Sequence, residues 1–116
     1  MSVINLAEKL ATFTDLWSPK IIGAFNGHDI LLVKAHGEFV WHAHPDTDDF
    51  FLVLSGRLVI QFREHEVQLG AGDLYVVPKG VEHRTLAPEG AELLLIEPHG
   101  TPNTGDPATA AVKHTI

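Results

Sequence analysis

The sequence predicts an all-β fold: an antiparallel barrel or sandwich preceded by one short N-terminal helix. Two observations carry this expectation. From Lys20 onward the chain breaks into short apolar runs separated by turn residues, and no second helical period follows the first twenty positions. A third concerns size. A chain of 116 residues, 45% apolar, can build one core without staples, and none are on offer because there is no cysteine. The whole chain, residues 1–116, therefore reads as one domain, its core at about 20–98 and an irregular tail over 99–116.

The helix comes first. Asn5-Leu6-Ala7-Glu8 resembles a capping box, in which Asn5 accepts from an early helical N–H while Glu8 reaches back. Leu6, Leu10 and Phe13 recur at i, i+4 and i+7 and give the helix one apolar side. Pro19 stands beyond its end, where proline is tolerated.

Strands are expected at 21–25, 30–35, 39–43, 50–54, 58–62, 74–77 and 93–96. Asn26-Gly27, Ser55-Gly56, Glu64–Glu66, Gly70–Asp73 and Pro88–Gly90 punctuate them as turns. Phe50-Phe51-Leu52-Val53-Leu54 and Leu93-Leu94-Leu95-Ile96 are apolar at every position. Strand side chains alternate between faces, so both faces of these strands need cover. A barrel interior covers one. A second copy of the chain would cover the other, with Phe39 and Trp41 contributing, and a homodimer is expected.

Charge narrows the partners. The formal net charge of −7 disfavours nucleic acid and an anionic membrane surface, both of which reward clustered lysine and arginine. Glu8, Lys9 and Asp15 interrupt any leader-like apolar stretch, and no run approaches the ~20 apolar residues that span a bilayer. A cytoplasmic protein with a small-molecule ligand or substrate is expected, without nucleic acid or membrane.

Histidines carry the candidate chemistry. His42 and His44 stand two apart on an expected strand, so they project from one face about 6.5 Å apart and can converge on one ion. Alone, the pair reads more readily as exposed strand histidines, because eight histidines in 116 residues produce that spacing by chance. The surroundings alter the weight. An acidic turn ends at Asp49, which opens an apolar strand, and Gly56 closes that strand. Further on, Gly72 closes a turn, Pro78-Lys79-Gly80 bends the chain, and His83 opens a new strand.

These residues resemble the cupin superfamily, in its small single-domain form, whose motifs are G-x5-H-x-H-x3,4-E-x6-G and G-x5-P-x-G-x2-H-x3-N. His42, His44 and Gly56 match the first; Gly72, Pro78, Gly80 and His83 match the second. The resemblance covers roughly residues 30 to 97 and implies a double-stranded β-helix, or jelly-roll, barrel around one divalent metal ion. Carried over, the ligands are His42, His44, Asp49 and His83. Three departures stand out. Asp49 replaces the usual glutamate and is one methylene shorter; Gly37 lies five positions before His42 while His36 takes the expected glycine's place; Ala87 replaces the motif's asparagine.

Of the remaining candidates, His28 reads as a turn residue, His65 as a hairpin tip, and His99 and His114 as tail residues. Glu97, Gln61 and Thr85 are candidate pocket-lining groups, and Phe51 and Val53, on the strand face of Asp49, supply an apolar wall. No nucleophile–base pair and no glycine-rich phosphate loop is present. Imidazole and carboxylate ligands suit Mn, Fe, Co, Ni or Zn. The functions compatible with such a centre are a mononuclear metalloenzyme (a dioxygenase, or a Lewis-acid isomerase or lyase), a non-catalytic binding or sensing module, and a structural barrel with an incidental metal.

Overall fold

A computed structural model describes residues 2–116. Asn5 Oδ1 accepts from the Glu8 N–H at 2.9 Å and starts a single-turn helix, α1 (Leu6–Leu10). Eight strands follow: β1 (Lys20–Phe25), β2 (His28–Glu38), β3 (Asp49–Gly56), β4 (Leu58–Gln61), β5 (Glu66–Leu69), β6 (Leu74–Val77), β7 (Arg84–Pro98) and β8 (His114–Thr115). They form the jelly roll.

Its spine is the long β2–β7 pair, antiparallel from His28↔Pro98 to Glu38↔Leu86. The other edge of β7 is shared: its start pairs with β4 and its later half with β3. Beyond these lie β5 on β4 and β6 on β3, while β1 and then β8 extend the sheet past β2. One continuous strand thus serves two halves of the barrel.

Sharing β7 overturns the turn expected at Pro88–Gly90. The strand passes straight through these residues, with Gly90 at φ +94 and a register slip opposite, between Ala35 and Gly37 of β2. A bulge bends a strand and moves it to a new partner without reversing it. Gly37, at φ +75, is the residue that supplies the left-handed conformation there, so the displaced glycine serves the bulge. Two further strands escaped the sequence. β5 carries two apolar residues in four, and β8 lies in the tail expected to be irregular. Conversely, 39–43 forms no strand; its only ladder contact is the single bridge His42↔His83.

Inside the barrel, Val53, Leu58, Ile60 and Leu93 are at most 2% exposed and pack with Val33, Phe51 and Val77. Burial of each such side chain stabilises the fold by about 1.5–3 kcal/mol. A second cluster lies outside the sheet: Phe13, with Leu6 and Leu10, covers Ile22 and Leu32 on β1 and β2. The helical segment therefore covers more of the outer face than its length suggested. It leaves Leu74 and Val76 of β6 bare, at 52% and 42% exposure, beside the outward residues Phe50 and Leu52 of β3. Ala87, in place of a polar side chain, is fully buried in the barrel.

Candidate metal centre

His42 and His44 sit on the extended loop between β2 and β3, and backbone hydrogen bonds hold that loop to the segment before β7. The N–H of His42 donates to the carbonyl of His83 at 2.9 Å, and the N–H of His83 returns the bond at 2.9 Å. Gly80 N–H donates to the carbonyl of His44 at 2.8 Å, and Lys79 N–H to Asp48 Oδ1 at 3.0 Å. The turn at 78–80 is thereby stitched to the histidine loop on both sides. Asp48 is spent on that turn, and Asp49, the first residue of β3, faces inward.

The side chains converge. Asp49 Oδ2 lies 2.9 Å from His83 Nε2, 3.2 Å from His44 Nε2 and 3.8 Å from His42 Nε2. Ligand atoms of His42, His44 and Asp49 all lie within 4.8 Å of one another, so this buried cluster could hold a metal ion. The short aspartate reaches the cluster because β3 begins at Asp49 itself, directly across from Val77.

Hydrogen bonding outside the cluster fits such an ion. His42 Nδ1 faces the Val40 carbonyl at 2.8 Å, and His83 Nδ1 faces the Val81 carbonyl at 2.9 Å. A carbonyl only accepts, so both Nδ1 atoms carry protons, and each ring turns its Nε2 toward the centre. With Nε2 unprotonated such a ring can bind a metal ion; with Nε2 protonated it donates to the Asp49 carboxylate. Burial pushes Asp49 upward, but hydrogen bonds from His42, His44 and His83 outweigh it and hold the carboxyl well below the usual carboxylate range. For His83, burial pulls down, and the bonds to Asp49 and the Val81 carbonyl raise it overall. His44 Nδ1 is buried without a protein partner.

The cluster lies against a small cavity, with Phe51, Thr85 and Glu97 among its lining. Val53 continues the inward face of β3 into the core below. Trp17 forms one wall, held at φ 55 by bonds from its N–H to the Lys34 carbonyl and from its indole to the His36 carbonyl. That conformation is costly for a bulky side chain and persists only where surroundings enforce it. Phe39 stacks on Trp17, with centroids 5.1 Å apart, and meets His42 edge-on. Phe39 therefore lines the cavity. Trp41 points elsewhere, with the Arg63 guanidinium 3.8 Å above its ring.

Thr85 and Glu97 line the cavity, as the sequence suggested they could. Gln61 does not: strand alternation sends Ile60 inward and Gln61 outward, where it accepts from Arg84 at 2.7 Å. His28 sits at its turn and His65 stacks on Phe62. The C-terminal tail was underestimated. Lys113 donates to buried Glu97, Asn103 donates to the Trp17 carbonyl, and Gly105 packs against Ala43 between two of the histidines. Burial pushes Glu97 above its ordinary range, and Lys113 opposes that only in part. No local pattern marks these contacts, which join positions 16 to 86 residues apart.

An antiparallel jelly roll with histidines and a carboxylate turned toward one cavity defines a class: small β-barrel domains with a site able to take a metal ion. The chain belongs to the cupin family, with residues 30–98 matching the cupin domain model. It is similar to the uncharacterized protein YdbB of Bacillus subtilis, at 45% identity over 82 residues, 70% of this chain and 66% of YdbB. The chain thus spans just under two-thirds of that relative's length. The crystal structure of a cupin-2 domain protein from Shewanella frigidimarina is 47% identical with a TM-score of 0.82, covering 84% of this chain and 95% of that one. Hydroquinone 1,2-dioxygenase from Sphingomonas, solved with 4-hydroxybenzoate, shares the fold at 16% identity and TM-score 0.68, over 93% of this chain and 75% of that one.

Proposed function

We propose that this cupin binds one divalent transition metal (Mn, Fe, Co, Ni or Zn) through His42, His44, Asp49 and His83 and acts there on a small organic molecule as a mononuclear metalloenzyme. One observation carries the reading: three histidines and an aspartate meet at the wall of a largely apolar cavity, with backbone carbonyls fixing the tautomers of His42 and His83. A bound ion would supply a Lewis acid with positions left for a ligand oxygen. The chain supplies the rest. Trp17, Phe39 and Phe51 offer flat apolar surfaces that orient an aromatic or similarly flat body and exclude water.

Among reaction types we favour a dioxygenase, since Trp17, Phe39 and Phe51 give the cavity an aromatic wall suited to a flat substrate. The structural likeness to a hydroquinone dioxygenase is consistent with that choice at the level of fold. Isomerase or lyase chemistry, and ligand sensing without turnover, are the competing outcomes. We place the protein in the cytoplasm as a homodimer; among the described residues no helix is long and apolar enough to cross a membrane.

Protein purified without chelator should carry about one equivalent of transition metal by elemental analysis. Iron-loaded protein should consume oxygen with an aromatic substrate, and zinc-loaded protein should not. Tight ligand binding with no turnover under any metal would replace the enzyme by a sensor.

A further inference from the structure

The cavity contains a second charged feature outside the metal cluster. On β7 the inward positions run Ala91, Leu93, Leu95 and then Glu97, so a carboxylate stands where the strand period calls for an apolar residue. Glu97 is 6% exposed, and its cross-strand neighbour on β2 is another buried carboxylate, Asp29. Like charges facing each other across a ladder are destabilising. Each has been given a partner from the tail: the His99 ring lies 3.0 Å from Asp29, and Lys113 donates to Glu97 and to the Thr101 carbonyl. The Lys113 side chain is 11% exposed. A buried ion pair is seldom more stabilising than two apolar residues of the same volume. Stability alone therefore does not account for charge in this wall. Lys113 engages Glu97 Oε1, and among the described residues no protein donor engages Oε2.

We propose that Glu97 is a ligand-recognising carboxylate, accepting a hydrogen bond from a hydroxyl or amine of a small, flat, mostly apolar molecule whose other polar end faces the histidine cluster. Lys113 is the positioning residue that holds Glu97 in the wall. The ligand class follows: an apolar body between Trp17, Phe39 and Phe51, one oxygen for the metal side, and one donor for Glu97. This assignment rests on the reading that the cavity takes an organic ligand beside a metal ion.

The test uses the full chain loaded with zinc, which is redox-inert, and calorimetric titration with catechol, resorcinol and hydroquinone, each against its monomethyl ether. Each pair differs by one O–H donor. At least one diol should bind about tenfold or more tightly than its ether, the scale of a hydrogen bond to a charged acceptor. The variant Glu97→Leu/Lys113→Met, which replaces the ion pair by an apolar pair, should keep its zinc and lose that preference. Should it fail to fold, Glu97→Gln keeps the shape without the charge and should weaken the preference severalfold. Equal binding of diols and ethers by the wild type, or a preference that survives in the variant, overturns the role of Glu97 and leaves the pocket standing. If neither diols nor ethers bind at millimolar concentration, the organic-ligand pocket fails, and the assignment with it.

Discussion

At position 49 the chain has a carboxylate one methylene shorter than the cupin pattern's glutamate, and the fold makes up the difference by starting β3 on that residue. Asp49 Oδ2 is within 2.9 Å of His83 Nε2 and 3.2 Å of His44 Nε2, so the shorter side chain reaches the histidines. Asp49→Ala should weaken zinc binding by roughly tenfold or more, and His83→Ala further still, measured by competition with a chromogenic chelator. An Asp49→Ala variant that binds as tightly as wild type would leave a three-histidine centre. Asp48 could not substitute, because its carboxylate already caps the turn at Lys79. The sequence showed two adjacent aspartates; strand alternation favoured Asp49, and the structure gives Asp48 its separate task.

Among elements, the tail and the two glycine contacts matter most. A Cβ on Gly56, at φ +78, would lie 2.2 Å from the Gly90 carbonyl oxygen where β3 ends against the bend of β7. Backbone cannot yield as a side chain can, and Gly56→Ala should destabilise the protein by ~3 kcal/mol in urea titration. Gly105 is similarly placed: a Cβ there would lie 2.0 Å from the Ala43 carbonyl oxygen. Gly105→Ala must displace the tail or the histidine loop, so limited proteolysis should cut the tail faster than in wild type. The ion pair gives a third contrast. Lys113→Met leaves Glu97 buried without its partner and should cost about 3–5 kcal/mol, whereas adding Glu97→Leu should recover most of that loss. Equal stability of both variants would mean the tail pairs with Glu97 only loosely.

On the scale of the whole molecule, the outward row Leu74, Leu52 and Leu94 runs across β6, β3 and β7; the cluster around Phe13 takes in Leu94 and Leu54 but leaves Leu74 and Val76 exposed. Exposed β6 and half-covered β3 together form an apolar face of the kind that a second copy would bury. Light scattering at micromolar concentration should return about twice the 12.7 kDa chain mass, and Leu74→Lys/Val76→Glu should return one chain. A monodisperse wild-type monomer would exclude the dimer.

Chain-local chemistry was legible in the sequence alone. Alternating apolar runs announced strands and Asn5 announced the helix start, since each depends on neighbours a few residues away; the grouping of His42, His44, Asp49 and His83 came only from the cupin resemblance. Elements whose shape depends on a distant partner were not. The bulge that carries β7 through Pro88–Gly90 exists because β2 slips opposite it at Gly37, and 39–43 forms no strand because its backbone pairing is limited to the Phe39 N–H on the Thr85 carbonyl and the His42–His83 bridge. The same holds for the cavity. Phe39 turned inward onto Trp17, Gln61 turned outward to Arg84, and Glu97 acquired Lys113 from the tail, through contacts 16 to 23 residues apart. Sequence periodicity reports which face a side chain takes relative to its own strand; only the closing of the sheet decides what lies on the other side of that face.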